Sequence, residues 1–130
     1  MIVVDTSAVI AILNAESEAD AFLGLLQSST RCVMAAPTKF ELLMVAIGLR
    51  GDEGGETAAL LLEESRIDII DWTDALADLA VEAFRRFGKG RHMAALNFGD
   101  CMAYALAKSL DAPLLYKGGD FALTDIRSAA

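Results

Sequence analysis

The sequence predicts an α/β fold built on a mainly parallel sheet of four or five strands. Short runs rich in Val, Ile and Leu are typical of buried strands. Segments with apolar residues at helical spacing separate those runs. Strands that alternate with helices favour parallel pairing, because each helix returns the chain to the same end of the sheet. The length of 130 residues suits one core, and we expect residues 1–130 to form a single domain.

The predicted elements follow one another with short connections. The predicted strands cover residues 2–4, 32–35, 67–70 and 113–116, with a possible short fifth strand at 123–126. The predicted helices cover residues 7–13, 17–28, 37–49, 56–65, 74–87 and 99–110. Pro37 starts the third helix, Gly48 and Gly51 mark its end, and "GDEGG" at 51–55 is predicted to be a loop.

The composition is apolar, but the pattern excludes a membrane span. Hydrophobic residues make up 55% of the chain, and the mean hydropathy is +0.42. The longest uncharged stretches, 6–15 and 21–30, are about half of the roughly 20 residues that a spanning helix needs. Asp5 comes early and no basic leader precedes it, which argues against a signal peptide. We therefore expect a cytoplasmic protein, with no membrane association, whose surplus apolar surface is covered in a homodimer or by a partner.

The cysteine and histidine content excludes a zinc site of the usual kind. Cys32 and Cys101 are far apart and outside any CxxC motif, and His92 is the only histidine. Buried thiols in a reducing compartment are the favoured interpretation, although a disulfide stays open.

The charge distribution is uneven. The net charge of −8 argues against non-specific nucleic-acid binding by the whole surface. Residues 84–92 nevertheless hold four cations and no acid. These cations are Arg85, Arg86, Lys89 and Arg91. Such a run is either a solvated helix end or, beside an acidic site and together with Lys117, a surface for RNA phosphates.

Four acids fall on one edge of the predicted sheet. Asp5 ends the first strand, and Asp120 follows the fourth. Glu41 and Asp100 lie in the first turns of two helices. Carboxyl ends of parallel strands and amino ends of their crossover helices share an edge, where ligands bind in such folds.

Each of these acids also has a purely structural interpretation. Asp5 suits a helix cap, Asp100 lies three residues after a plausible cap at Asn97, and Asp120 suits a turn. Glu41 with Thr38 matches a capping box. Taken together, however, four converging carboxylates would repel one another unless a cation lay among them.

The ligand set would be all oxygen, which suits Mg²⁺ or Mn²⁺. Such ions polarise phosphates and activate water. Thr6 or Ser7 would hydrogen-bond an acid or a metal-bound water. Two other chemistries are not supported. The sequence "DTSAVIA" after the first strand lacks the glycines of a dinucleotide site, and Ser7 stands where an aspartyl-phosphate phosphatase would carry a second Asp.

The segment "MIVVDTSAVIAIL" resembles the start of PIN domains, specifically of the VapC-type toxins of toxin–antitoxin pairs. The likeness continues through "FELLMVAIGLR", the block from Gly88 to Phe121, and "LTDI". The resemblance implies an α/β/α sandwich and a metal-dependent endoribonuclease that cuts structured RNA, often transfer or ribosomal RNA. It also implies a homodimer and a cognate VapB-type antitoxin.

The resemblance maps the acidic site positions of the family onto four residues of this chain, with Thr6 as the hydroxyl beside the first. These positions are Asp5, Glu41, Asp100 and Asp120. The hypothesis is that Asp5 and Asp100 are the main ligands of Mg²⁺ or Mn²⁺ and that activated water attacks the phosphate. Asp125 is a further nearby acid without an assigned role. The alternatives are an inactive PIN-like module that binds RNA or acts as a scaffold, and a structure-specific nuclease that acts on DNA.

Overall fold

The computed structural model describes residues 1–130, and its centre is a four-stranded sheet. The strands are β1 (Ile2–Val4), β2 (Cys32–Ala35), β3 (Ile67–Ile70) and β4 (Leu114–Leu115). Their order is β3-β2-β1-β4, and all three pairings are parallel. The parallel sheet predicted from the sequence is therefore confirmed.

Five helices surround the sheet. They are α1 (Thr6–Leu13), α2 (Ala19–Ser28), α3 (Ala36–Glu64), α4 (Asp74–Phe87) and α5 (Phe98–Leu110). No helix is both long enough and apolar enough to cross a membrane.

The strands bury side chains on both faces, which produces the three layers of an α/β/α sandwich. Val3 belongs to a core formed with α4 and α5, whereas Ile2 and Val4 belong to a core formed with α1, α2 and α3. In β2, Val33 and Met34 divide between the two cores in the same way. Cys32 and Cys101 are both buried and free, as predicted.

The predicted fifth strand at 123–126 is wrong. A short 3₁₀ turn, Phe121–Leu123, begins this segment. The Thr124 hydroxyl donates to the Phe121 carbonyl at 2.7 Å and accepts from the Ile126 amide at 3.2 Å. These local bonds compete with strand pairing, and contact with β4 is limited to an isolated bridge between Leu114 and Ser128.

The predicted loop at 51–55 is also too long. Helix α3 is interrupted only at Arg50 and Gly51, where Gly51 has a φ of 68°. A β-carbon at Gly54 would overlap the Ala46 carbonyl, and one at Gly55 would press on Ile47. These glycines therefore allow the two halves of α3 to approach each other closely, although their sequence resembles a loop.

Candidate active site

Asp5 lies where β1 ends and α1 begins. Its backbone amide donates to the Leu115 carbonyl at 3.0 Å, which fixes it to the end of β4. Its Oδ2 accepts hydrogen bonds from the Ser7 amide at 3.0 Å and the Ser7 hydroxyl at 2.6 Å. The predicted capping role of Asp5 is confirmed, and it occupies only one of the two carboxylate oxygens.

The second oxygen, Asp5 Oδ1, is buried and has no hydrogen-bond partner. Burial raises the pKa of Asp5 to about 6, against the hydrogen bonds from Ser7, and the charges of Asp100 and Glu41 add to the rise. A buried carboxylate oxygen without a donor is costly, so it favours a proton or a cation beside it.

Glu41 lies in the second turn of α3 and contacts two other helices. The Thr6 hydroxyl donates to Glu41 Oε1 at 2.5 Å. A β-carbon on Gly99, in the first turn of α5, would overlap the Glu41 carboxylate. Glu41 is therefore held between α1 and α5.

The capping box considered for Thr38 and Glu41 does not form. Helix α3 begins at Ala36 with Ala35 as its cap residue, and no side chain caps it. Thr38 is inside the helix, so the Glu41 side chain has no capping role and is available at the sheet edge.

Asp100 forms a capping box at the start of α5. The Asp100 amide donates to Asn97 Oδ1 at 2.8 Å, and the Asn97 amide donates to Asp100 Oδ2 at 3.0 Å. Burial raises the pKa of Asp100 against this last hydrogen bond, and the charges of Glu41 and Asp120 raise it further. Asp100 is therefore close enough to both acids for their charges to act on it.

Asp120 is exposed and immediately precedes the 3₁₀ turn, without a capping hydrogen bond from its side chain. The charges of Asp100 and Glu41 act on Asp5, and those of Glu41 and Asp120 act on Asp100, so Asp100 is the acid that the electrostatics link to each of the other three. As the side chains stand, no three acidic, histidine or cysteine residues form a group ready to hold a metal ion. The Thr6 hydroxyl binds one oxygen of Glu41 and the Asn97 amide binds one oxygen of Asp100, so the second oxygen of each carboxylate has no protein donor.

The five predicted RNA-contacting cations differ in their surroundings. Lys117 Nζ pairs with Glu16 at 3.0 Å and Glu18 at 3.5 Å, which offsets its charge. Arg86 pairs with Asp125 at 3.4 Å. The Arg91 guanidinium lies over the Phe84 ring, 5.6 Å from its centre.

Arg85 and Lys89 form no ion pair. The Lys89 amide donates to the Leu96 carbonyl at 3.0 Å, next to Asn97. The backbone of the basic run therefore adjoins the start of α5, which carries Asp100.

The predicted hydrogen bond from Ser7 to an acid is confirmed, whereas Gly99 was missing from the residues predicted for the site. Ser7 holds Asp5 and in turn accepts a hydrogen bond from the Lys117 amide at 3.0 Å. Gly99 leaves the space that the Glu41 carboxylate fills. A glycine between a cap residue and an acid in "NFGD" is a weak signal of such a close approach.

Comparison with known proteins decides the family. The family model of the PIN domain matches residues 2–126. Ribonuclease VapC30 of Mycobacterium tuberculosis is 39% identical over 128 residues, which cover 98% of each chain. The chain is a PIN-domain protein of the VapC family. The Ribonuclease VapC of Mycolicibacterium smegmatis is 40% identical to this VapC-family chain over 124 residues, covering 95% of this chain and 96% of the relative.

Solved structures of VapC proteins share the fold. The crystal structure of Mycobacterium tuberculosis VapC20, described as a sarcin–ricin loop cleaving toxin, has a TM-score of 0.75 and 18% identity and covers 98% of this chain and 99% of its own. VapBC2 from Rickettsia felis, solved with a DNA fragment from its promoter, has a TM-score of 0.74 and 18% identity. The match covers 98% of this chain and 97% of the Rickettsia felis chain. These matches confirm the sandwich predicted for this VapC-family chain.

Proposed function

We propose that this chain is a divalent-metal-dependent endoribonuclease and the toxin of a VapBC-type pair, acting as a single domain in the cytoplasm. Its relatives at 39–40% identity over nearly the full length are named VapC ribonucleases, which supports RNA as the substrate. The name of VapC20, a toxin that cleaves the sarcin–ricin loop, supports structured RNA as the substrate class.

The observation that carries the proposal is the unpaired, buried Asp5 Oδ1. Ser7 satisfies Oδ2 twice, so Oδ1 alone is free for a ligand. The neighbouring Glu41 and Asp100 make the surroundings negative, which selects a cation over an anion. The donors are carboxylate oxygens, the ligand type that Mg²⁺ and Mn²⁺ prefer.

Asp5 and Asp100 would hold the ion, and Glu41 and Asp120 would complete the ligand set directly or through water. A bound Mg²⁺ or Mn²⁺ supplies Lewis-acid polarisation of the phosphate and makes water a stronger nucleophile. Ser7 orients Asp5, and Thr6 orients Glu41. With water as the nucleophile and the ribose 3′-oxygen as the leaving group, the products are 5′-phosphate and 3′-hydroxyl ends, and no attack by the 2′-hydroxyl is required.

RNA would reach this acidic edge through the adjacent cations. Arg85 and Lys89 have no acidic partner and are free to neutralise phosphates. Lys117 and Arg86 have acidic partners, so their share in binding depends on exchange of those partners for phosphate.

The exposed apolar surface supports a homodimer and an antitoxin as partners. Phe40 is 70% exposed, Met44 55% and Phe98 81%. These side chains line a groove of about 360 Å³ whose wall includes Glu41 and Gly99. An apolar surface of this kind beside a catalytic site suits coverage by another chain, which would also restrict access to the acids.

The test is cleavage of total cellular RNA by chain purified free of any partner. We expect cleavage with Mg²⁺ or Mn²⁺, loss of cleavage with a chelator, 5′-phosphate ends, and loss of cleavage in the Asp5→Asn variant. RNA binding without cleavage would support an inactive PIN-like module instead. Faster cleavage of matched DNA would support a DNA nuclease, and a 2′,3′-cyclic phosphate end would contradict the proposed chemistry.

A further inference from the structure

The carboxylate of Asp125 joins the C-terminal segment to two helices. Asp125 Oδ1 accepts a hydrogen bond from the Tyr104 hydroxyl at 2.6 Å. Its Oδ2 accepts from Lys108 Nζ at 2.8 Å and from the Arg86 guanidinium at 3.4 Å. Tyr104 and Lys108 belong to α5, and Arg86 belongs to α4.

Tyr104 is the most buried of the three partners of Asp125. Tyr104 is 2% exposed and packs against the Phe87 ring at a centroid distance of 5.9 Å. Lys108 and Arg86 are exposed by more than two fifths, so solvent screens their ion pairs. Removal of Asp125 would leave a buried hydroxyl without its acceptor, which is the costlier loss.

Asp120 has no side-chain anchor of its own. It follows Gly118, with a φ of 104°, and Gly119, and it makes no capping hydrogen bond. Glycines give the chain before Asp120 wide conformational freedom. The position of Asp120 therefore depends on the residues that follow it.

Those residues form a compact turn that ends at Asp125. Phe121 is 3% exposed in the core, and the Leu123 amide donates to the Asp120 carbonyl at 3.2 Å. The Thr124 amide and hydroxyl both donate to the Phe121 carbonyl, at 3.0 and 2.7 Å. This turn is anchored at one end by Phe121 and at the other by Asp125.

We propose that Asp125 is a positioning residue, which holds Asp120 at the acidic edge through its hydrogen bond with Tyr104. The effect of Asp125 on the turn does not depend on the proposed function. Its effect on catalysis rests on the proposed function, in which Asp120 completes the ligand set.

The first test measures amide hydrogen exchange at Leu123 and Thr124 by NMR in metal-free chain. Asp125→Ala and Tyr104→Phe should each speed exchange at these amides about tenfold, since local opening becomes easier, while core strands keep their protection. Asp125→Asn keeps an acceptor for the Tyr104 hydroxyl and should stay within about twofold of the wild type. Unchanged exchange in both Asp125→Ala and Tyr104→Phe would overturn the proposal.

The matched control is Asp111→Asn. This substitution weakens another ion pair of the C-terminal segment, between Arg127 and Asp111 at 3.5 Å. Asn is suitable at position 111 because it tolerates the left-handed backbone found there. The control should leave exchange at Leu123 and Thr124 unchanged. Faster exchange in the control, to the degree seen in Asp125→Ala, would show general loosening and would count against a specific anchor.

The second test is a double-mutant cycle on RNA cleavage. Asp125→Ala should lower kcat about tenfold and leave KM within about twofold, because a displaced catalytic group affects the transition state more than RNA binding. In an Asp120→Asn background the same change should have no further effect. If Asp125→Ala lowers kcat by the same factor in the Asp120→Asn background as in the wild type, the link to Asp120 is overturned. If the wild type itself cleaves no RNA with metal, the proposed function fails, and the exchange test still decides the anchor.

Discussion

The Thr6 hydroxyl donates a hydrogen bond to Glu41 Oε1 across 35 residues of sequence. It connects the start of α1, directly behind Asp5, to the second turn of α3. Thr6 thereby sets where the Glu41 carboxylate lies relative to Asp5. In the proposed mechanism Thr6 is a positioning residue, and the carboxylates around it are the ligands.

Thr6→Val removes this donor while it keeps a branched side chain of similar size. We expect activity at a limiting Mg²⁺ concentration to fall by about ten- to a hundredfold, the usual effect of losing a group that orients a metal ligand. The measurement is the Mg²⁺ dependence of RNA cleavage, which should shift to higher concentration. Thr6→Ser keeps the hydroxyl and should remain close to the wild type. Equal loss in both variants would contradict an orienting role for the hydroxyl.

Asp5→Asn should make metal-free chain more stable at neutral pH. The folded-state pKa of Asp5 is raised from 3.8 to about 6, so the folded chain binds more protons than the unfolded chain between these values. Wild-type stability should therefore fall as pH rises from about 4 through 6, by about 3 kcal/mol for this shift.

The measurement is urea unfolding in chelator across pH 4–8 for both proteins, where pH 4 is about the unfolded pKa of an Asp. Asn keeps a cap acceptor for Ser7 but cannot ionise, so the pH dependence should be smaller in the variant. Parallel pH profiles for the two proteins would show that Asp5 does not carry the buried charge.

Gly99→Ala should displace the Glu41 carboxylate. The added β-carbon overlaps that carboxylate, so we expect a loss of about 1–3 kcal/mol in unfolding free energy or an outward rotation of Glu41. In either case RNA cleavage should fall. Gly48→Ala is the matched control, because this helical glycine has open space around it and should gain up to about 1 kcal/mol. A fully active and fully stable Gly99→Ala protein would contradict the close approach.

Simultaneous Arg85→Ala and Lys89→Ala should weaken RNA binding through phosphate contacts. We expect a higher KM with little change in kcat. The slope of the logarithm of the binding constant against the logarithm of salt concentration should become shallower by about two, one for each cation removed. Lys117→Ala serves as the comparison, since Glu16 and Glu18 already offset its charge, and its effect should be smaller. A larger effect from Lys117 than from the pair would contradict the main role assigned to Arg85 and Lys89 in phosphate binding.

The sequence predicted the parallel sheet well, because local apolar patterns encode its strands. The apolar runs before Asp5 and around Val33 predicted parallel strands, and the Asn97 and Asp100 spacing indicated a helix start that the structure confirms. Contacts between distant segments have no such pattern. The bonds from Thr6 to Glu41 and from Tyr104 to Asp125 join residues 35 and 21 positions apart and emerge only once the chain folds.

The wrong predictions have local causes. The segment 123–126 has strand-like residues, but the Thr124 hydroxyl bonds its own neighbours and closes a turn. The glycines at 54 and 55 were interpreted as loop residues, whereas they serve close packing within α3. In both cases one short-range interaction outweighs the average preference of the residues involved.

The central claim is that Asp5 and its neighbouring acids hold the divalent ion that RNA cleavage requires. Its most direct test is a Mn²⁺ titration of wild-type chain and Asp5→Asn by electron paramagnetic resonance, with RNA cleavage followed on the same samples. We predict that the wild type binds Mn²⁺ over the concentration range in which cleavage appears, and that Asp5→Asn loses both. Cleavage by the wild type in chelator, or equal Mn²⁺ binding by the two proteins, would contradict the claim.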